Sequence, residues 1–224
     1  MKKKLFIFFA IIGFTTITMA QDSRVSKSGL YKPTANEKAR EYYNDAHEKF
    51  EIQDYEQAIS LYKKAIQEDS NYIDAYDNLG LSYRKLNLLD SAELYYKLSI
   101  EKYPQGIAAI QNMAVIYNIR GDFKSADHYY QLIIESEPEN PEGYYGMSKS
   151  AYFQGKYADA LLNAQLAEKY YLMANSPIVY LGDNYYLKSR IYYSMKDIKA
   201  ARKYLELAKS NGIDVDPEFE KALK

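Results

Sequence analysis

Two segments of the chain carry the same arrangement of side chains. Tyr145, Lys149 and Tyr152 are spaced by four and then three residues, and so are Tyr186, Arg190 and Tyr193. On a helix this spacing puts all three on one face. A cation between two phenols suits binding: it pairs with a carboxylate or lies over a ring, while the rings add broad, fairly rigid contact area. The competing structural reading is that a chain with 26 tyrosines places some of them between helices wherever helices meet.

Bond-making chemistry has little to work with. The chain has no cysteine, which excludes disulfides, thiolate nucleophiles and Cys-ligated metal sites. His47 and His128 lie in separate segments without paired metal-ligand spacing, and His128 is expected on the surface. Neither a nucleophile elbow nor a dinucleotide fingerprint occurs, and Gly155-Lys156-Tyr157 lacks the rest of a phosphate loop. The 29 Lys and Arg against 30 Asp and Glu give no basic face to grip nucleic acid. The expectation is a protein that is not an enzyme and uses no cofactor or metal.

The first twenty residues read as an address. Lys2, Lys3 and Lys4 precede an apolar run from Leu5 to Phe14, and Thr18-Met19-Ala20 ends in the small-x-Ala form of a secretory signal peptide. The alternative is a retained anchor, but Leu5 to Ala20 is short against the roughly 20 apolar residues of a spanning helix. Removal of residues 1–20 leaves 26 positive and 30 negative side chains, a net charge of −4, and no membrane span. A lipid-anchored form lacks its Cys. Export is therefore expected, periplasmic or extracellular, and residues 21–38 read as a flexible polar leader.

What positions the two triplets is a repeat. Ala58, Ala92, Ala126 and Ala160 recur every 34 residues, and Ala201 follows after 41. Other columns keep the phase: Tyr55, Leu89, Phe123, Tyr157, Ile198; Tyr62, Tyr96, Tyr130, Ala164, Leu205; Ala46, Gly80, Ala114, Ser148, Ser189; and Tyr42, Tyr76, Ile110, Tyr144, Tyr185. Each unit reads as two amphipathic helices joined by a short turn such as Asn87-Leu88-Leu89-Asp90 or Gly121-Asp122. Pro104 and Pro138 stop the second helix, because proline cannot continue one. Small columns let helices approach closely, and the Tyr and Leu columns fill the space beside them.

At these residues the chain resembles the tetratricopeptide repeat family. Tyr76, Leu79-Gly80, Tyr83, Ala92, Tyr96 and Pro104 carry nearly the whole pattern, and Met113-Ala114, Tyr117, Gly121, Ala126, Tyr130 and Pro138 repeat it. The resemblance implies an all-α solenoid: about five helix–turn–helix repeats in a right-handed superhelix, at 39–72, 73–106, 107–140, 141–174 and 182–215. A short capping helix is expected over 216–224. Asp45 and Lys49 depart from the pattern in the first unit, and Lys188 does so in the fifth. About seven extra residues at 175–181 predict one lengthened helix from Pro177 to Met195, with Ser176 as its N-cap.

In this family the first helix of each pair lines a concave groove. The resemblance therefore assigns partner contacts to Tyr43, His47 and Arg84 as well as to the two triplets, which would set four phenols around two cations. Phe50, Asp77, Leu81, Gln111, Val115 and Asn118 share that wall. The expected ligand is an extended peptide segment or C-terminus of acidic and aromatic character. The carboxylate clamp known in one subgroup is not matched, since Tyr43, Asp77 and Gln111 replace its first Lys and Ala108 and Glu142 stand in a further Lys column. The function implied is an interaction scaffold or adaptor in a cell-envelope complex, with glycan binding by the tyrosine-rich groove as the alternative.

Overall fold

A computed structural model describes residues 34–223, so the expected signal peptide and most of the expected leader lie outside the described residues. Within them the chain is all helix: α1 (Glu37–Glu51), α2 (Tyr55–Glu68), α3 (Ile73–Lys85), α4 (Leu89–Lys102), α5 (Ile107–Ile119), α6 (Phe123–Ser136), α7 (Pro141–Phe153), α8 (Tyr157–Met173), α9 (Ile178–Ser194), α10 (Ile198–Ser210) and α11 (Pro217–Ala222). Each odd-numbered helix from α1 to α9 packs on the helix that follows it, and each even-numbered helix from α2 to α8 packs on the first helix of the next pair. The first helices also touch one another, α3 to α5, α5 to α7 and α7 to α9, and so form one wall of a solenoid.

The helix starts and turns follow local chemistry. Asn36, Asp54, Asp122, Asn140, Asp197 and Asp216 each turn a side-chain oxygen onto an N–H of the first turn. Shortly before the second helix of every pair the backbone enters the left-handed region, at Gln53, Asn87, Gly121, Gly155 and Lys196. This is the same tight turn five times, and glycine, which meets no Cβ penalty there, fills it twice.

The alanine column is the centre of the packing: Ala58, Ala92, Ala126, Ala160 and Ala201 are all fully buried. Facing it, Ser148 and Ser189 donate to the carbonyls of Ala160 and Ala201, both at 2.8 Å. The aromatic column presses on the first helices beside it. At Gly146 an added Cβ would lie 2.0 Å from the Tyr130 ring, and at Gly80 2.7 Å from Tyr96, so only a residue without a side chain permits the approach. Neighbouring units are also locked electrostatically. Glu93 of α4 accepts from Lys97, from the Tyr117 hydroxyl (3.0 Å) and from Arg120 at the end of α5, and Arg120 also reaches Asp90 at 2.6 Å.

Three expectations need correction. The leader does not run to residue 38: Thr34 is buried and donates to Asp69, Asn36 donates to the Glu68 carbonyl at 2.9 Å, and helix begins at Glu37. The extra residues do not lengthen one helix alone. Both α8 and α9 have 17 residues, against 14 in α2, α4 and α6 and 13 in α3, α5 and α7, so the added turns are shared by both arms of the hairpin. The N-cap of α9 is Pro177, not Ser176, and no side chain caps it. Lys188, at an apolar column, is fully buried: its ammonium pairs with Glu168 and lies 4.1 Å from the Tyr204 ring centre.

Two outcomes follow from this packing. Ala126→Trp should overpack the middle of the array and lower its stability by about 1–3 kcal/mol, read as a lower urea midpoint with unchanged slope. The Glu93 lock should appear in acid. Burial alone would raise the pKa of this carboxyl, but its hydrogen bonds from Lys97, Arg120 and Tyr117 outweigh that and hold it down at about 2, from an ordinary 4.5. A depressed carboxylate contributes stability above its unfolded pKa and loses it as pH falls through the folded one. Glu93→Gln should therefore flatten the fall in melting temperature between pH 4.5 and about 2, and an unchanged profile would reject the lock.

Candidate functional site

The first-helix wall brings five of the six triplet residues together. Tyr145, Lys149 and Tyr152 of α7 and Tyr186 and Arg190 of α9 line one depression of about 210 Å³, with Phe153, Asp183 and Leu187 completing it. Tyr145 and Tyr152 rest one side on the core formed by Ala151, Ala160, Ala164, Leu187 and Ile191. The structural reading of these rings is thus half right: each belongs partly to the core and partly to the depression.

The two cations are held by rings. The Lys149 ammonium lies 5.6 Å from the Tyr145 ring centre, and the Arg190 guanidinium bridges the helices, 5.7 Å from Tyr152 and 6.0 Å from Tyr186. Neither reaches a carboxylate at ion-pair distance among the described residues. Lys149 is close enough to Asp183 to draw its pKa down, but burial dominates and the Asp183 carboxyl stands above its usual range. Burial likewise raises the Tyr145 hydroxyl, helped by the charges of Asp183 and Glu142, so this phenol stays protonated as a donor.

Asp183 is the acidic groove residue that sequence reasoning missed, and Glu142 is a partly buried acid beside the groove on the same wall. The signal was present: each precedes its tyrosine, Tyr145 or Tyr186, by three residues and so shares its face. Glu142 joins three helices, accepting from Gln111 of α5 at 2.9 Å and from the Tyr171 hydroxyl of α8 at 2.7 Å. Its burial pushes its pKa up, against the pull of those two donors.

The remaining assigned residues are placed differently. Tyr193 does not line the depression; its ring meets Phe219 of α11 edge-on at 5.4 Å, and Phe219 also touches Tyr186 at 5.8 Å. The cap helix therefore occupies the end of the wall. Tyr43 is packed between Tyr62 and Tyr72, with ring centres at 5.5 and 4.9 Å, and its hydroxyl accepts from Asn78 at 2.9 Å. His47 lies 3.8 Å from Glu51 on its own helix, and Arg84 sits beside the Tyr96 phenol. These three are in the first two units and do not join the depression. His128 is exposed beside Tyr129. Among the described residues no group of three or more His, Cys, Asp or Glu is placed to hold a metal, and no helix is long and apolar enough to cross a membrane.

Fold and wall together define a helical-repeat solenoid with a lateral groove. Family models described as TPR repeat and tetratricopeptide repeat match residues 46–87 and residues 73–105 and 182–210, respectively, together less than half of the chain. No curated protein matches. Similar solved structures include a thermophilic TPR protein of Thermus thermophilus, with a TM-score of 0.66 at 14% identity over 83% of this chain and 96% of that one. YrrB, described as a TPR protein with an unusual peptide-binding site, has a TM-score of 0.56 at 18% identity over 81% and 89%. The first TPR of Spaghetti (RPAP3), bound to an HSP90 peptide, has 0.51 at 20% identity over 57% and 99%. At these identities the likeness is one of fold.

Because Glu142 is held by donors from two neighbouring helices, Tyr171→Phe should leave a carboxylate oxygen short of its partner. It should lower stability by about 1–3 kcal/mol in urea denaturation with helicity unchanged. No loss would show that the contact contributes nothing.

Proposed function

We propose that this chain is a non-enzymatic interaction scaffold of the cell envelope that holds an extended acidic segment of a partner protein between α7 and α9. Tetratricopeptide repeat proteins in general mediate protein–protein interactions, and two of the structural neighbours carry a peptide or a peptide-binding site in their descriptions. The observation that carries the reading is the pair Lys149 and Arg190, facing one depression, resting on rings and in no ion pair among the described residues. A cation with no carboxylate in direct contact is where an incoming carboxylate gains most. The phenols of Tyr145, Tyr152 and Tyr186 offer flat apolar contact beside it. Asp183 stands at one side, where it accepts from a backbone N–H of an extended strand and repels a second acidic side chain, giving the ligand a direction. The envelope location rests on the signal-like residues 1–20.

The test is binding of a short synthetic peptide ending in an aromatic residue and two acidic residues, followed by fluorescence anisotropy. Lys149→Gln combined with Arg190→Gln should weaken it by ~10-fold or more, equivalent to about 1.4 kcal/mol, with helicity intact. This pair is a cleaner test than truncating Tyr186, which also supports Phe219 of the cap. Equal affinity in the variant would reject the site, and retention on polysaccharide with no peptide binding would favour the glycan alternative.

A further inference from the structure

The hairpin that breaks the 34-residue period ends in an exposed apolar tip. Because α8 and α9 are each longer than their counterparts, their turn projects beyond the matching turns by about one helical turn, roughly 5 Å. From Tyr170 to Gly182 there is no charged residue. At the tip Leu172 and Met173 are each 59% exposed, Ile178 63% and Val179 43%. The α4–α5 turn also leads into an apolar residue, but there Ile107 is 7% exposed because it packs into the core. Below the tip lie three half-buried phenol rings, Tyr144 stacked on Tyr170 at 5.2 Å and Tyr180 stacked on the buried Tyr171 at 6.2 Å, with the Lys169 ammonium 4.9 Å from the Tyr170 ring.

We infer that this tip is a lipid-contacting element that seats the solenoid against a bilayer surface. A convex knob of four aliphatic side chains offers no groove for a peptide. It also presents far less than the roughly 1,200–2,000 Å² that a specific, stable protein interface buries. A lipid surface asks for no shape complementarity, only apolar side chains at the front with amphipathic rings and a cation behind them at headgroup level, which is the order found here. The depth is interfacial: helix ends leave backbone groups without intrahelical partners, and these stay in contact with water and headgroups.

The rest of the chain points to the same occupant. Thr34 and Asn36 are tied to Asp69 and Glu68 at the end of α2, so the chain enters the solenoid on the edge that carries the α2–α3 turn. The α8–α9 turn also joins the second helix of one pair to the first of the next, and lies on that edge. In the alternative where the leader is retained as an anchor, the three lysines and the apolar run Leu5 to Phe14 would join at that edge. None of the four tip residues lines the groove depression.

The absence of tryptophan from the chain supplies a silent background for the test. Single-tryptophan full-length variants Leu172→Trp and Ile178→Trp are mixed with vesicles of phosphatidylethanolamine and phosphatidylglycerol, with Leu94→Trp on α4 as control. The two tip variants should shift their emission to the blue and be quenched by brominated lipid, while the control does neither. Leu172→Glu with Ile178→Glu should abolish lipid quenching of a Met173→Trp reporter, with helicity and peptide binding in the groove retained. The readout is local, so vesicle attachment through residues 1–33 alone leaves tip emission unchanged and overturns the inference. A blue shift that needs no vesicles and grows with protein concentration also overturns it, because a second copy would then cover the tip.

Discussion

Small residues meeting across the two helices of each pair, with an aromatic column pressed beside them, make the contact on which the structure depends. The five alanines of the column are fully buried, and the residues of the column facing them are Ala, Gly or Ser. That spacing fixes how near the two helices of a pair can come. It also fixes where the aromatic column, Tyr62, Tyr96 and Tyr130, must go: against the first helices beside it. The contact at Gly146 and Tyr130 shows how little tolerance remains. One helical hairpin cannot bury both its column and its rings, so stability is a property of neighbours in series. The turn in left-handed conformation before each second helix serves this contact, since it sets the two helices in the same register five times over.

Once the small column and its rings carry the packing, the outward side of the first helices is released from it, and the chain uses that freedom unevenly. In the first two units the wall is filled from within: Tyr43 is pinned between two rings and by Asn78, and Arg84 is engaged beside Tyr96. In the fourth and fifth units the rings lean partly into the core, and Lys149 and Arg190 rest on rings with no ion pair among the described residues. The same residue types thus serve packing at one end and present a surface at the other. What differs is whether a neighbouring side chain reaches the polar atom first.

The fold was legible because its constraint is periodic: a column that must be small and one that must be large leave a trace every 34 residues. The triplets were legible for a similar reason, since spacings of four and three survive without knowledge of the backbone. What escaped was decided across elements. Tyr193 has the spacing of a groove residue, but Phe219, from a helix two elements later, takes its face. Ser176 has the chemistry of an N-cap, yet α9 begins after Pro177, and composition cannot divide seven added residues between two arms of a hairpin. Lys188 read as a departure from an apolar column, and only the placement of Glu168 and Tyr204 explains how a buried ammonium is tolerated there. Glu142 and Asp183 stand at the right spacing, but in a wall picked out by its rings and cations an acid announces nothing until Gln111, Tyr171 and Lys149 are seen beside it.

The added hairpin turns connect these themes. On α9, Val179, Asp183, Tyr186 and Arg190 follow one another at intervals of four, three and four residues, so the extra turn extends the groove wall upward in the same line that carries the cation. Lengthening only one arm would have left that turn without a partner, and a lone helical turn in water is not stable. With α8 grown alongside, Tyr171 stacks on Tyr180 and its hydroxyl reaches Glu142 in α7, fastening the extension to the helix before it. The buried Lys188–Glu168 pair sits lower in the same two helices and joins them by a contact that fails if either slides by a turn. A rigid, extended hairpin is what both a directional groove and a projecting apolar tip require, and the interruption of the period supplies it where the two cations face one depression.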